Sequence, residues 1–168
     1  MNPHLIVLDL DGTLLTDEKT ISVHTKAVLA EARRQGHEVM IATGRPFRAS
    51  KLYYEALDLS TPIVNFNGAY VHHPKSRAFA ATHSPIALNM VHDIVDSLAP
   101  FELDNVLAEV MDDVYIQRHD DQLLDILSSG DPKVTTGPLI QTLKTSPTSI
   151  LLQAKEQQVA LIRQHLAD

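Results

Sequence analysis

The chain has 168 residues, of which 44% are hydrophobic and 5% aromatic, and its formal net charge is −7. This size suits one domain or slightly more, and the acidic balance argues against a nucleic-acid-binding surface, which needs a basic patch. The sequence has no cysteine, which excludes disulfides and thiolate sites, and no apolar stretch long enough to span a bilayer. We therefore expect a cytoplasmic protein with neither a nucleic-acid nor a membrane partner.

The first half of the chain alternates between strand and helix signals. Short apolar runs predict buried strands. Ser22 is placed to cap a helix with Val28 and Leu29 on its buried face, and Pro46 stands near the first turn of another. The predicted elements, in chain order, are strand 4–10, helix 22–36, strand 37–43, helix 46–57 and strand 63–66. Strands joined by crossover helices predict a parallel, Rossmann-like sheet and an α/β fold.

The second half reads as a separate module. Asn67-Gly68 is a turn signal, and a hairpin is predicted with strands at 70–71 and 78–80. We place the boundary after residue 81, which gives domains 1–81 and 82–168. The further predicted elements are helix 85–98, antiparallel strands 105–110 and 114–117, helix 121–127, an irregular segment 130–147, strand 149–153 and helix 155–167.

Two carboxylates near the N-terminus carry the strongest chemical signal. Asp9 and Asp11 follow the first apolar run, and Gly12 permits a sharp exit from that strand. Both acids are then presented at the carboxyl end of the strand, where open α/β sheets bind ligands. Asp9 suits a nucleophile that attacks a phosphoryl group, and Asp11 suits a general acid that later acts as base. The alternative is a pair of turn or helix-capping aspartates.

A bound Mg²⁺ would neutralise the repulsion between a carboxylate and a phosphate. The Asp9 side chain and the Asp11 backbone carbonyl are the ligands that we expect to hold it. Backbone amides near Gly12 would form a nest for the phosphate oxygens.

Three segments together resemble one protein family. Asp9-Leu10-Asp11-Gly12-Thr13-Leu14-Leu15 resembles the first motif of the haloacid dehalogenase superfamily, with Asp11 as the phosphatase form of that motif. Ala42-Thr43-Gly44-Arg45-Pro46 and Phe66-Asn67-Gly68-Ala69 resemble the segments after the second and third strands of its Cof-type branch. The resemblance implies phosphate- or substrate-binding roles for a set of residues that comprises Gly12, Thr43, Gly44, Arg45 and Asn67.

Three of these residues have other interpretations. Thr43 also suits the N-cap of the following helix, and both roles are compatible. Arg45 either reaches a phosphate or pairs with a surface acid. The turn signal alone suffices to explain Asn67.

The position of the second module agrees with this branch of the family. The stretch between Asp9 and Thr43 is filled by one loop, one helix and one strand, so no cap domain fits there. The module after residue 81 therefore resembles an α/β cap inserted after the third strand. The family's later lysine motif and acidic motif are not found in this sequence, so we interpret the chain as an incomplete core that ends within the cap. The first strand is then an exposed edge, so we expect that the chain either pairs this edge with another chain or is a fragment of a longer protein.

The leading hypothesis is a Mg²⁺-dependent phosphatase that acts on a small phosphorylated metabolite, such as a sugar phosphate, through an aspartyl-phosphate intermediate. The alternative is an inactive, truncated fragment of the same fold that binds Mg²⁺ or phosphate weakly or serves only as an association partner. A dinucleotide-binding module is disfavoured, because no Gly-x-Gly-x-x-Gly follows the first strand.

Overall fold

The computed structural model describes residues 2–167, which divide between Ser84 and Pro85 into two compact units. This division falls three residues after the boundary that we predict from the sequence. We call the units the N-terminal unit and the C-terminal unit. None of the helices in residues 2–167 is long and apolar enough to cross a membrane.

The N-terminal unit contains the alternating strands and helices of the predicted α/β fold. Its elements are β1 Leu5–Leu8, α1 Val23–Arg34, β2 Glu38–Ile41, α2 Phe47–Ala56, β3 Ile63–Asn65, β4 Tyr70–His72 and β5 Thr82–His83. The side chain of Ser22 accepts a hydrogen bond from the backbone N–H of Thr25, so the predicted cap of α1 is confirmed.

The first three strands lie side by side. β1 and β2 pair in parallel from Leu5 opposite Glu38 to Leu8 opposite Ile41. A single parallel bridge between Ala42 and Val64 joins the end of β2 to β3. These pairings bring the carboxyl ends of the three strands to one edge, which is where the candidate site residues follow each strand.

The hairpin differs from its prediction. β4 pairs antiparallel with β3, and β5 pairs antiparallel with β4, so these three strands form an antiparallel group. The returning strand is Thr82–His83 rather than residues 78–80, because Tyr70 and Val71 take His83 and Thr82 as their partners.

The core of the N-terminal unit lies between the helices and these strands. Its fully buried side chains include Leu10, Ile41, Tyr54 and Ile63. Val28 was expected on the buried face of α1 beside Leu29, but it is 52% exposed, so that prediction is wrong.

The C-terminal unit is a four-stranded sheet with four helices. Its elements are α3 Leu88–Ser97, β6 Leu103–Val110, β7 Asp113–Ile116, α4 Asp121–Leu127, β8 Val134–Thr136, α5 Leu139–Thr142, β9 Ser149–Ala154 and α6 Glu156–His165. The strand order is β8-β7-β6-β9, and all neighbours are antiparallel except β7 and β8. The predicted helix 121–127 is confirmed with the same bounds.

The sequence predicts an irregular segment over 130–147, but the structure has a strand and a helical turn there. Val134 pairs with Val114, which adds β8 to the edge of the sheet. Pro138 precedes a single helical turn that buries Leu139 and Leu143 in the core of this unit. Both elements are too short to produce a periodic pattern, so tertiary pairing and burial stabilise them.

Candidate active site

The chain leaves β1 through a kinked turn over Leu10–Leu14, in which the backbone at Asp11 and Gly12 is not helical, and this turn exposes the two acids. Leu10 and Leu14 are buried and anchor this turn, whereas Asp9 and Asp11 are exposed. The backbone N–H of Leu14 donates to the carbonyl of Asp9 over 3.2 Å. Gly12 has a φ of +73°, a left-handed conformation that favours glycine and turns the chain sharply away from the strand.

Two cations bind the carboxylate of Asp11. The Nε and Nη2 atoms of Arg45 donate to its Oδ2 and Oδ1 at 2.7 and 2.8 Å, in a two-point contact. The Nζ of Lys19 donates to Oδ1 at 2.8 Å. The hydrogen bonds from Arg45, followed by that from Lys19, hold the pKa of Asp11 well below its ordinary range. Asp11 is therefore ionised in this arrangement.

The position of Arg45 answers a question that the sequence leaves open. Its guanidinium pairs with an acid, as one interpretation held, but that acid is Asp11, the expected general acid. The hydrogen bond with Asp11 raises the pKa of Arg45, which stays charged. Lys19 and Arg45 thus place two positive charges beside the carboxylate of Asp11 in an otherwise acidic chain.

Thr43 holds the turn after β2 and is buried. Its hydroxyl oxygen accepts from the backbone N–H of Arg45 at 3.2 Å, and its own N–H donates to the carbonyl of Val64 at 2.9 Å. Helix α2 has Pro46 as its N-cap, so the helix-cap interpretation of Thr43 is wrong. The hydroxyl of Thr43 therefore stabilises the loop that carries Arg45.

A strained loop after β3 packs against this turn. Phe66 and Asn67 have φ values of +51° and +53°, which are uncommon for residues other than glycine. The N–H of Asn67 donates to the carbonyl of Thr43 over 3.2 Å. A Cβ built on Gly44 would lie 2.9 Å from Oδ1 of Asn67, so the Asn67 side chain occupies the space that glycine leaves. Thr43, Gly44 and Asn67 are thereby brought together.

Two residues of this cluster are not among the sequence candidates. Lys19 stands in a polar loop with no motif around it, although its position after the acidic pair offered a weak signal. Tyr53 lies on α2, where an aromatic residue reads as core. Its hydroxyl donates to the carbonyl of Lys19 at 2.9 Å, and its ring centroid is 5.4 Å from Cζ of Arg45.

The donor set fits Mg²⁺ in part. In the described part of the chain, no three His, Cys, Asp or Glu side chains converge as a metal site. Mg²⁺ is commonly bound through one or two carboxylates together with water and substrate phosphate. The exposed carboxylate of Asp9 can serve in this way, whereas the carboxylate of Asp11 is engaged by two cations and leaves its backbone carbonyl as the second oxygen.

Comparison with known proteins identifies the family. The sequence model of the haloacid dehalogenase-like hydrolase family matches residues 6–168 of this chain. The 5-amino-6-(5-phospho-D-ribitylamino)uracil phosphatase YitU of Bacillus subtilis is 47% identical over 166 residues, which cover 99% of this chain and 62% of YitU. The chain therefore spans less than two thirds of the length of this relative.

Solved structures agree with the fold. A haloacid dehalogenase-like hydrolase from Bacteroides thetaiotaomicron superposes with a TM-score of 0.78 at 20% identity, covering 99% of this chain and 64% of that one. The subclass IIB sugar phosphatase BT4131 superposes with a TM-score of 0.74 at 18% identity, with coverages of 99% and 64%. At these identities the likeness concerns the fold, and the predicted α/β fold is confirmed.

Proposed function

Because the chain belongs to the haloacid dehalogenase-like hydrolase family, we propose that it acts as a phosphatase on a small phosphorylated metabolite. The observation that carries this proposal is the pair of acids after β1, in which Asp9 is exposed and Asp11 is fixed by Lys19 and Arg45. The carboxylate of Asp9 is free to react, and the carboxylate of Asp11, two residues further along the chain, is held in a defined orientation.

In the proposed reaction, a carboxylate oxygen of Asp9 attacks phosphorus. The bond from phosphorus to the ester oxygen breaks, and Asp11 gives its proton to that oxygen. Water then attacks the aspartyl-phosphate, Asp11 takes the proton, and inorganic phosphate leaves. Asp11 is ionised in the described arrangement, so it carries a proton only when its contacts with Arg45 and Lys19 loosen.

The phosphate of the substrate supplies a reason for that loosening. An incoming dianion competes with Asp11 for the guanidinium of Arg45 and the ammonium of Lys19. Thr43, Gly44, Asn67 and the backbone near Gly12 would bind or border the phosphate, as the family resemblance implies.

Magnesium is part of the proposal, with Asp9 and the backbone carbonyl of Asp11 as its protein ligands. When bound, Mg²⁺ would neutralise charge between the nucleophile and the phosphate. We expect a chelator to abolish phosphate release and added Mg²⁺ to restore it, whereas added Na⁺ at the same ionic strength should not. Full activity in excess chelator would contradict the metal requirement.

The first substrate to test is 5-amino-6-(5-phospho-D-ribitylamino)uracil. The support for it is the 47% identity to YitU, which is named for that activity. Pyridoxal phosphate is a suitable comparison compound, since the chain is 44% identical over 72 residues to the pyridoxal phosphate phosphatase YbhA of Escherichia coli. We expect kcat/KM to be higher for the ribitylaminouracil ester than for pyridoxal phosphate.

The decisive variant is Asp9→Asn, which keeps the shape of an exposed side chain and removes its charge. We expect phosphate release to fall by more than about a thousandfold, because no other group replaces a lost nucleophile. Asp17→Asn, another exposed acid in the following loop, is the matched control and should retain full activity. Equal melting temperatures of the variants would show that the loss is chemical.

The same measurement tests the inactive alternative. If the wild-type chain releases no more phosphate than Asp9→Asn on either ester, this chain by itself is not a phosphatase. Binding of Mg²⁺ or phosphate, measured by calorimetry, would then be the only activity left to it.

A further inference from the structure

One buried tyrosine contacts both residues that hold Asp11. Tyr53 is 5% exposed in α2. Its hydroxyl donates to the backbone carbonyl of Lys19 at 2.9 Å, across 34 positions of sequence. Its ring centroid lies 5.4 Å from the guanidinium carbon of Arg45, within the range of a cation–π interaction.

The loop that carries Lys19 depends on such a contact. Lys19 has a φ of +56°, which is uncommon for a residue that is not glycine. Its N–H donates to the carbonyl of Thr16 at 2.9 Å, and the N–H of Thr16 donates to the carbonyl of Thr20 at the same distance. The Tyr53 hydroxyl donates to the carbonyl of Lys19, and this hydrogen bond joins the small loop to α2.

The ring of Tyr53 acts on the other cation. Arg45 also donates from Nη1 to the carbonyl of Ala49 at 3.4 Å, a longer contact than those to Asp11. The flat face of the tyrosine limits the positions of the guanidinium, so that its Nε and Nη2 atoms meet the two oxygens of Asp11. Within residues 2–167, no hydrogen bond joins Tyr53 to Asp11, so Tyr53 is not placed to react.

We propose that Tyr53 is a positioning residue that fixes Lys19 through its hydroxyl and Arg45 through its ring, and so sets the orientation of the Asp11 carboxylate. The proposal rests on the proposed function only in assigning Asp11 the proton transfers. When the substrate phosphate loosens their hydrogen bonds to Asp11, Lys19 and Arg45 still stand beside the carboxyl group that carries the proton. Orientation of a proton donor affects the chemical step more than substrate binding, so kcat rather than KM should respond.

The chain offers a matched control in the next residue. Tyr54 is also buried, and its hydroxyl also donates to a backbone carbonyl, that of Thr61 at 2.7 Å. Tyr53→Phe and Tyr54→Phe each delete one buried hydroxyl from α2, but only the first removes a contact to the residues around Asp11. Tyr53→Leu deletes the ring as well.

The first experiment needs no turnover. In the ¹⁵N-labelled full chain, hydrogen exchange of the Arg45 Nε–H and of the loop amide of Lys19 is measured by NMR, with Arg45→Lys to assign the arginine signal. We expect Tyr53→Phe to speed exchange at Lys19 by about fivefold and Tyr53→Leu to speed it at both sites, whereas Tyr54→Phe changes neither. Unchanged exchange in both Tyr53 variants would overturn the proposal.

The second experiment reads the catalytic consequence. Tyr53→Phe should lower kcat about fivefold and leave KM within about twofold, and Tyr54→Phe should leave both unchanged. Because the Tyr53 hydroxyl acts through Lys19 while the ring is kept in phenylalanine, Tyr53→Phe should have little further effect in a Lys19→Met background. Equal losses of kcat in Tyr53→Phe and Tyr54→Phe would overturn the proposal. So would a full additional loss of kcat when Tyr53→Phe is combined with Lys19→Met. If wild type shows no activity over Asp9→Asn, the proposed function fails while the exchange experiment still decides the role of Tyr53.

Discussion

Asn67 and Gly44 share a space that holds one side chain. The Cβ of an alanine at position 44 would lie 2.9 Å from Oδ1 and 3.3 Å from Nδ2 of Asn67. Those atoms are the far end of an exposed side chain, which can rotate away more readily than the backbone can move. The contact therefore orients the Asn67 amide more than it stabilises the fold.

We expect Gly44→Ala to displace Asn67 while changing the free energy of unfolding by less than about 1 kcal/mol. If the Asn67 amide meets the substrate, KM should rise in Gly44→Ala and in Asn67→Ala to a similar extent, and the double variant should be no worse than Asn67→Ala. Steady-state kinetics of the three variants check this. An additive loss in the double variant would contradict the shared contact.

At the scale of elements, the loop from Asp9 to Ser22 joins β1 to α1 and carries both Asp11 and Lys19. Its far end is fixed where the side chain of Ser22 accepts from the N–H of Thr25 at 3.0 Å. The same hydroxyl lies 2.8 Å from the hydroxyl of Thr25. The cap of α1 therefore holds the end of the loop as well as the start of the helix.

Ser22→Ala should lower the free energy of unfolding by about 1 kcal/mol, since it leaves a helix N–H without its acceptor. Ser60→Ala, at an exposed serine outside any helix, is the control and should be neutral. Urea titration followed by circular dichroism gives both values. A cap variant as stable as the control would show that solvent replaces the serine at no cost.

The elements that the sequence predicts well are those with local signals. Helix 121–127 has an aspartate before it, and Asp120 indeed accepts from the N–H of Leu123. The pair β6 and β7 follows from two apolar runs around a turn. By contrast, β8 exists because Val134 pairs with Val114, and nothing local marks it.

The candidate site divides in the same way. The acidic pair, its glycine and the segment around Thr43 can be recognised as motifs, and the paired strands bring their ends to one edge. The contact between Tyr53 and Lys19 joins residues of two elements without any shared pattern, so only the fold reveals it. Whether Arg45 meets phosphate or an acid likewise depended on a side-chain position that sequence spacing does not fix.

For the whole molecule, the relevant feature is the outer edge of β1, an apolar strand of the N-terminal unit that is partly exposed. In residues 2–167, β1 pairs with β2 alone, and Leu5 and Val7 are 58% and 47% exposed. The strand has no charge and no proline, the features by which edge strands commonly avoid association. Pairing of this edge with another chain, which we expect from the sequence, stays a prediction.

Light scattering coupled to size-exclusion chromatography should show a mass above that of one chain, rising with concentration. Leu5→Lys should shift the chain toward the monomer, because a charge on an edge strand disfavours pairing. Leu161→Lys on α6 replaces a leucine that is also 58% exposed and should have no effect. A monomer at all concentrations would contradict pairing at this edge.

The hydrogen bond from Tyr53 also affects how readily a protease cleaves the chain after Lys19. Trypsin cleaves after lysine, and the carbonyl that accepts the Tyr53 hydroxyl belongs to the peptide bond between Lys19 and Thr20. Cleavage requires an extended segment, so the hydrogen bond must break and Lys19 must leave its left-handed φ of +56°. When reclosing is fast, the rate of scission at this bond measures how often the loop beside Asp11 opens, without any substrate present.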